Sequence, residues 1–376
     1  MKVREALELE SRNHISLEEY LNLCEQNGFT RREDKLQLSG YLHDLGVCLH
    51  FQEDELLEKT VILKPTWGTD AVYKVLDNPL VINTQGRFTR NDLKQIWHED
   101  KYATMQSELL RLMMNFKLCY EIPNAPKTYI APQLLTPSQP DYDWDESENL
   151  LLRYEYEFMP KGIMTRFIVE MHDWIESQSC VWKSGVVLVK DGARAEVTEI
   201  YRYHKGEIRL RVSGKRQRDL LTTIRHELDK IHDSYNSSDD RLNKVQRLKY
   251  KTLVPCNCVT CKSGNDPHFY SLDIIHKFRD ARKDIQCQNS FDMVDVHGLI
   301  DDIVPKSYSS LDARKPRSEG INNAIEGELE NRYKKLAHLR LALGKESGTA
   351  IEFQLKAQVE KEEQEIQELE DRLNET

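Results

Sequence analysis

No stretch of the 376 residues approaches the ~20 consecutive apolar positions that a membrane-crossing helix needs. Residues Met1 to Glu5 pass straight into a charged helical pattern, without the apolar core of a secretion signal. Both absences lead us to expect a cytoplasmic chain with no membrane partner. Positive charge is also in short supply: 53 Lys and Arg stand against 63 Asp and Glu, for a formal net charge of -10. A polyanion would find no bulk attraction, so nucleic-acid binding would require a local basic patch. Catalytic signatures are missing too. Gly-Lys occurs only before Arg216 and before Glu346, so no Walker loop is present. Asn243-Lys244-Val245-Gln246 lacks the Asp of a guanine-specificity motif. His226-Glu227 is followed by the next histidine at His232, and six residues turn a helix through about 600°, which puts the rings on different faces and excludes a zincin pair. Neither a Gly-x-Ser-x-Gly elbow nor a Gly-x-Gly-x-x-Gly loop occurs. These gaps point to a chain that is not an enzyme and binds no nucleotide. Cysteine is too sparse, at eight residues, for a disulfide scaffold. Cys24, Cys48, Cys119 and Cys180 stand singly in apolar stretches, as small core residues do.

A hydrophobic content of 39% is enough to build two or three cores in a chain of this length. Ser16 followed by Glu19 forms a capping box before an amphipathic helix that Asn27-Gly28 stops. A second helix ends near Gly46, and Val47 to Phe51 and Thr60 to Leu63 read as a hairpin around the charged tip Gln52 to Lys59. The same grammar recurs with a helix opened by Thr89, a helix from Ala103 to Lys117, and strands at Leu118 to Ile122 and Thr128 to Ala131. Residues 1–135 therefore read as two winged-helix-like units in tandem. A DNA-reading helix needs basic and amide side chains on its face. Ala103 to Lys117 offers Arg111 and Lys117 against Glu108, and the first-unit helix carries Asp34, Lys35, His43 and Asp44, so neither face is basic.

Pro132 to Ser147 is polar and proline-rich and reads as a linker. Residues 148–304 then change character: a strand from Leu150 to Phe158, a helix from Ile163 to Ile175, a meander over Cys180–Lys190, Ala193–Tyr203 and Glu207–Ser213, and a helix from Lys215 to His232. Arg194, Glu196, Thr198, Arg202, Arg209 and Arg211 on alternate positions give the sheet one charged face. The expected fold class is α+β, an antiparallel sheet with helices on one face. Its apolar side, with Val186, Leu188 and Val197, looks larger than two short helices can cover. A second polar break, 305–320, precedes a helical tail, 321–376, whose Ile351, Leu355, Val359, Ile366, Leu369 and Leu373 follow a heptad-like spacing.

The strongest local chemistry is Cys256-Asn257-Cys258-Val259-Thr260-Cys261. Thiolates two and three residues apart on a tight turn can share one tetrahedral ion, with Cys287 as the fourth ligand and His268 as the runner-up. The candidate cofactor is a structural zinc; the alternative is a turn of reduced cysteines.

The run Tyr41-Leu42-His43-Asp44-Leu45-Gly46, then Leu49-His50-Phe51 and Val61-Ile62-Leu63-Lys64-Pro65 with Trp67, resembles the COR (C-terminal of Roc) domain of Roco proteins. Gly86-Arg87-Phe88-Thr89, Tyr129-Ile130-Ala131-Pro132-Gln133-Leu134-Leu135 and Phe158-Met159-Pro160-Lys161-Gly162 extend the resemblance, which runs from about Lys2 to Val304, and the Val-Pro-Cys-x-Cys-x-x-Cys block is similar to bacterial members. Roco proteins are multidomain GTPases in which a Ras-like Roc domain precedes COR. The resemblance implies that Lys2-Val3-Arg4 fall at the Roc-COR seam and that the G domain lies outside this chain. It also implies a noncatalytic dimerisation and regulatory module, a homodimer through the C-terminal half, and a Roc partner facing the first unit together with the strand that carries Arg153, Tyr154 and Tyr156. The reading from another class is a winged-helix nucleic-acid-binding protein, which the non-basic helix faces oppose.

Overall fold

A serine and a threonine set the entry to both small units. The Ser16 hydroxyl accepts from the Glu19 N–H at 3.2 Å while the Glu19 carboxylate accepts from the Ser16 N–H at 2.8 Å. Thr89 and Asp92 make the same reciprocal pair at 3.3 and 2.7 Å. Each pair satisfies N–H groups that a helix start would otherwise leave open. The computed structural model describes residues 2–145, 149–202, 205–236, 248–264 and 267–301, with Arg332 beyond them. The expected linker 305–320 and, Arg332 apart, the helical tail 321–376 lie outside the described residues.

The first unit comprises α1 (Lys2–Leu9), β1 (His14–Ser16), α2 (Leu17–Gln26), α3 (Arg32–Asp44) and β2 (Thr60–Ile62). Val3, Leu7, Ile15, Tyr20, Cys24, Leu42, Cys48 and Val61 form its core. The expected hairpin is corrected here. The main partner of β2 is β1, and of the Val47–Phe51 run only Leu49 bridges to Ile62. The charged tip is also less free than its composition implied. Asp54 turns inward and accepts from Arg111 Nε at 2.6 Å, from Asn115 at 3.0 Å, and from the backbone N–H of Leu56 and Leu57 at 3.1 Å each. Leu57 itself is buried.

The second unit follows as α4 (Pro65–Leu76), α5 (Pro79–Asn83), β3 (Arg87–Thr89), α6 (Arg90–Ile96), α7 (Asp100–Ala103), α8 (Gln106–Asn115), β4 (Tyr120–Glu121) and β5 (Thr128–Ile130). Its strands form a small antiparallel sheet in the order β3-β5-β4. The β4–β5 pair is the hairpin expected for this unit. Gly86 enters β3 at φ +83°, where a side chain would run into the Ala131 carbonyl. Trp67, Phe88, Trp97, Leu109 and Met113 fill the core. Tyr120, Ile122, Ile130 and Leu135 turn the other way and join the core of the following half. Tyr120 donates to Gln178 at 2.8 Å and its ring lies 5.0 Å from His172.

The C-terminal half is built on β6 (Leu150–Tyr156), α9 (Ile163–Glu170), β7 (Val181–Trp182), β8 (Gly185–Lys190), β9 (Ala193–Arg202), β10 (Lys205–Gly214), α10 (Gln217–Asn236), β11 (Tyr250–Pro255), α11 (Val259–Ser263), β12 (Phe269–Ser271), α12 (Leu272–Asp280), β13 (Ile285–Gln286), β14 (Met293–Val294) and α13 (Val296–Asp301). Among the described residues, seven strands form one antiparallel sheet in the order β12-β11-β6-β10-β9-β8-β7. The expected α+β class holds, although the helix from Ile163 stops at Glu170 and gives way to a 3₁₀ turn at His172–Trp174. Ile208, Leu210 and Val212 of β10 point to the α9 and α10 side, whereas Glu207, Arg209 and Arg211 alternate to the open face. Val186, Leu188 and Val197 are fully buried against this core, so the expectation of uncovered apolar sheet at these residues does not hold. α9 packs on β8 and the 20-residue α10 on β9.

The stretch read as a linker lies over the charged face. The Thr136 carbonyl accepts from Lys183 N–H at 2.8 Å, and Tyr142 and Gln139 donate to Glu196 at 2.7 and 3.0 Å. The Trp144 ring stacks 4.5 Å from the Arg211 guanidinium and 5.0 Å from that of Arg194. No helix among the described residues is long and apolar enough to cross a membrane.

Asp54 yields a pH prediction. Burial alone would raise its carboxyl, but the hydrogen bonds from Asn115, Arg111, Leu57 and Leu56 more than offset this and hold it at about 2. A carboxylate held below its unfolded value contributes stability above pH ~4 that is lost as pH falls toward 2. Asp54→Asn is expected to cost about 2 kcal/mol at pH 7. Urea denaturation at several pH values should show the gap to the parent chain narrowing below pH ~4.

Candidate metal centre

β11 delivers Cys256 to the end of the sheet, where its N–H donates to the His268 carbonyl at 2.7 Å. The chain then turns, and Cys258 caps α11, its sulfur accepting from the Cys261 N–H at 3.4 Å. The Cys256 sulfur accepts from the Cys258 N–H at 3.5 Å. One helical turn places Cys261 back beside them. Cys287 comes from the far side, immediately after β13. Its loop is closed by Cys287 N–H to the Asp292 carbonyl and Phe291 N–H to the Cys287 carbonyl, both at 2.8 Å.

All four sulfurs lie within 4.8 Å of one another, and Cys261 Sγ and Cys287 Sγ are 3.6 Å apart. A tetrahedral zinc with bonds of ~2.3 Å sets its sulfurs about 3.8 Å apart, so the donor set fits one ion. Four buried thiols in apolar surroundings need a reason to converge, and a shared soft cation supplies one. The electrostatics are uneven. Burial pushes the Cys256 and Cys261 thiols up. The Ser290 hydroxyl brings Cys258 down against burial. At Cys287 burial is outweighed by the Ser290 hydroxyl and the backbone donors of Ser290 and Asn289, which bring it to about 6.

Cys256, Cys258, Cys261 and Cys287, separated in sequence, therefore meet in space. His268 contributes backbone groups, its carbonyl accepting from the Cys256 N–H and its backbone hydrogen-bonding Cys261, while its ring packs 4.6 Å from Tyr270. Two supporting residues escaped the sequence reading. Asn257 donates to the Asp295 carbonyl at 2.7 Å and accepts from the Asp295 N–H at 3.2 Å, tying the cysteine turn to the approach of α13. Ser290 lies 3.4 Å from Cys258 Sγ. The asparagine inside Cys-x-Cys was a usable signal; nothing near Ser290 marked it. An ion held by all four cysteines would have no open position, which is the coordination of a structural site.

The residues expected at an interface separate by strand alternation. Tyr154 and Tyr156 face the helices and are fully buried. Tyr156 shares a 2.6 Å hydrogen bond with His232 Nε2, and Tyr154 reaches Asp229 at 3.5 Å. Arg153 lies on the open face, its guanidinium 3.7 Å over the Phe269 ring and 3.4 Å from Glu207.

Two small mixed units thus precede a large antiparallel sheet, and the second of them shares its core. The sequence matches the C-terminal of Roc, COR-A domain over residues 1–135 and the C-terminal of Roc, COR-B domain over residues 147–302. The chain belongs to the COR family of Roco proteins and contains both halves of the COR domain. It is 32% identical over 233 residues to a Roc-COR-CHAT protease of Runella zeae, covering 60% of this chain and 24% of that protein. It is 27% identical over 176 residues to the probable serine/threonine-protein kinase pats1 of Dictyostelium discoideum, covering 43% and 6%. A solved structure of Methanosarcina barkeri Roco2 RocCORdC bound to GDP shares 32% identity over 35% of this chain and 42% of that one, with a TM-score of 0.32. The chain thus spans at most about a quarter of the curated relatives it matches. The matched regions are COR, and the nucleotide motifs of a Roc domain are not part of this sequence.

Purified chain prepared without chelators is expected to hold about one zinc, measured by elemental analysis. Removing it should speed hydrogen exchange across Pro255 to Cys287, because binding energy at a closed site is folding energy. Protein with no stoichiometric metal would remove the centre.

Proposed function

We propose that this chain is the dimerisation and regulatory module of a larger Roco GTPase, and that nucleotide chemistry belongs to an adjoining Roc domain. The observation that carries the reading is the match to both COR halves in order along one chain. Its physical support is the shared core, in which Tyr120, Ile122 and Ile130 of the second unit pack with the C-terminal half. A load applied to one half is thereby passed to the other. The two small units are read as winged-helix-like, used for packing against protein. The same reading puts the chain in the cytoplasm, in keeping with its free cysteines.

For the Roc contact we infer that β6 presents Arg153 and Glu155 on its open face, with Tyr154 and Tyr156 shaping the strand from behind. Arginine is favoured at such contacts. Tyr154→Ala would then act through the fold, costing about 3 kcal/mol or more, whereas Arg153→Ala would weaken Roc binding without unfolding the chain. Titration of a separate Roc domain against both variants checks this, and unchanged affinity for Arg153→Ala would sink the assignment.

The homodimer contact is assigned to the C-terminal half. Ile274, Met293 and Phe291 are 47%, 55% and 75% exposed there. An open groove of about 750 Å³ lies beside the edge strand β12, lined among others by Phe269, Ile274, Phe278 and Met293. Exposed apolar groups gathered in this way favour a protein contact. Light scattering on the full chain and on a truncation after Val304 is expected to give a dimer in both, and Ile274→Asp with Met293→Asp to weaken it roughly tenfold or more. Monomers in both forms would overturn the assignment. Salt-sensitive binding of mixed DNA duplexes below micromolar, read by fluorescence anisotropy, would favour the nucleic-acid alternative instead.

A further inference from the structure

The cysteine cluster is built asymmetrically. Cys261 and Cys287 come from α11 and from the loop after β13, 26 residues apart, yet their sulfurs are 3.6 Å from each other. Cys256 and Cys258 are separated by one residue, a spacing that strains any disulfide between them. The Cys258 sulfur is held instead by the Cys261 N–H and by Ser290. The cluster also lies close beneath the surface: its neighbour Val259 is 82% exposed. Cys261 is the most exposed of the four at 6%, whereas Cys287 is fully buried.

We propose that the cluster is an oxidation-sensitive fastener in which a peroxide joins Cys261 to Cys287 and so breaks up the tetrahedral thiolate set. This rests on the metal-centre reading above. Cys261, deprotonated as a member of the four-thiolate set, attacks one peroxide oxygen, the O–O bond breaks, hydroxide leaves, and Cys261 becomes a sulfenic acid. The Cys287 thiolate then attacks the Cys261 sulfur, the S–O bond breaks, a second hydroxide leaves, and the S–S bond forms. Two protons from solvent convert the hydroxides to water; the sulfur pair has lost two electrons and the peroxide has gained them. Cys256 and Cys258 alone no longer close a four-thiolate set. The disulfide keeps α11 tied to the β13 loop while the end of β11 is released. A four-point clamp becomes a single tie, which a thiol reductant reverses.

The test uses the full metal-loaded chain titrated with hydrogen peroxide. Zinc release is followed with a chromophoric chelator, and disulfides are mapped by mass spectrometry of unreduced peptides. One zinc should be released for each Cys261–Cys287 disulfide, with recovery on adding dithiothreitol and zinc. Cys180→Ser, outside the cluster, should behave identically. A disulfide that includes Cys256 or Cys258, or peroxide treatment that leaves zinc and thiols intact, overturns the proposal while the metal centre stands. Chain that holds no zinc before any peroxide is added removes the metal centre and the fastener together.

Discussion

One-sided burial of the large antiparallel sheet governs the rest of the C-terminal half. The strands from β6 to β8 turn apolar positions toward α9 and α10, β11 and β12 toward α12, and a register slip of one residue would send Ile208, Leu210 and Val212 to water and Glu207, Arg209 and Arg211 into the core. The pairing of β10 with both β6 and β9 is therefore fixed by chemistry on two fronts. The same rule places Tyr154 and Tyr156 inside and Arg153 outside, and leaves the opposite face to ion pairs such as Arg211 with Glu196. The 136–145 segment fits that face because it brings what the guanidinium groups there accept, an aromatic surface from Trp144.

Much of this architecture could be read from residue order, and the reasons are local. Ser16 with Glu19, and Asp191-Gly192, the turn between β8 and β9 at φ +51° and +78°, act within a few residues, so their signals lie in one window. The strand β1 could not be read. It has three residues and one buried apolar side chain, and its evidence is a partner more than forty positions later. Asp54 looked like part of a solvated tip because its partners Arg111 and Asn115 belong to another helix, 57 and 61 residues on. The Leu152-Tyr154-Tyr156 alternation was visible, but which face is interior depends on α10 and β11, elements that alternation alone does not reveal.

The cysteine cluster divides along the same line. Three of its cysteines sit in one six-residue window, where spacing alone suggests a shared ion. Cys287 could only be nominated, since a 26-residue separation says nothing about distance until β13 and β14 pair and return the chain. Asn257 and Ser290, which steady the turn, act across 38 and 32 residues, and short-range pattern has no purchase on such contacts.

The position of β6 has a consequence for biosynthesis. It is the first strand of its sheet to be made, yet it lies between β10 and β11. As the chain leaves the ribosome, β10 can pair with one edge of β6 before β11 has emerged. The roughly three dozen residues separating β10 from β11 take about 2–7 s to add at ~5–20 residues per second. Throughout that interval the other edge of β6 is an open template for pairing with a neighbouring nascent chain. Polysomes translating this sequence at high density thus pass through a brief window in which two copies can exchange strands, which ends when β11 arrives.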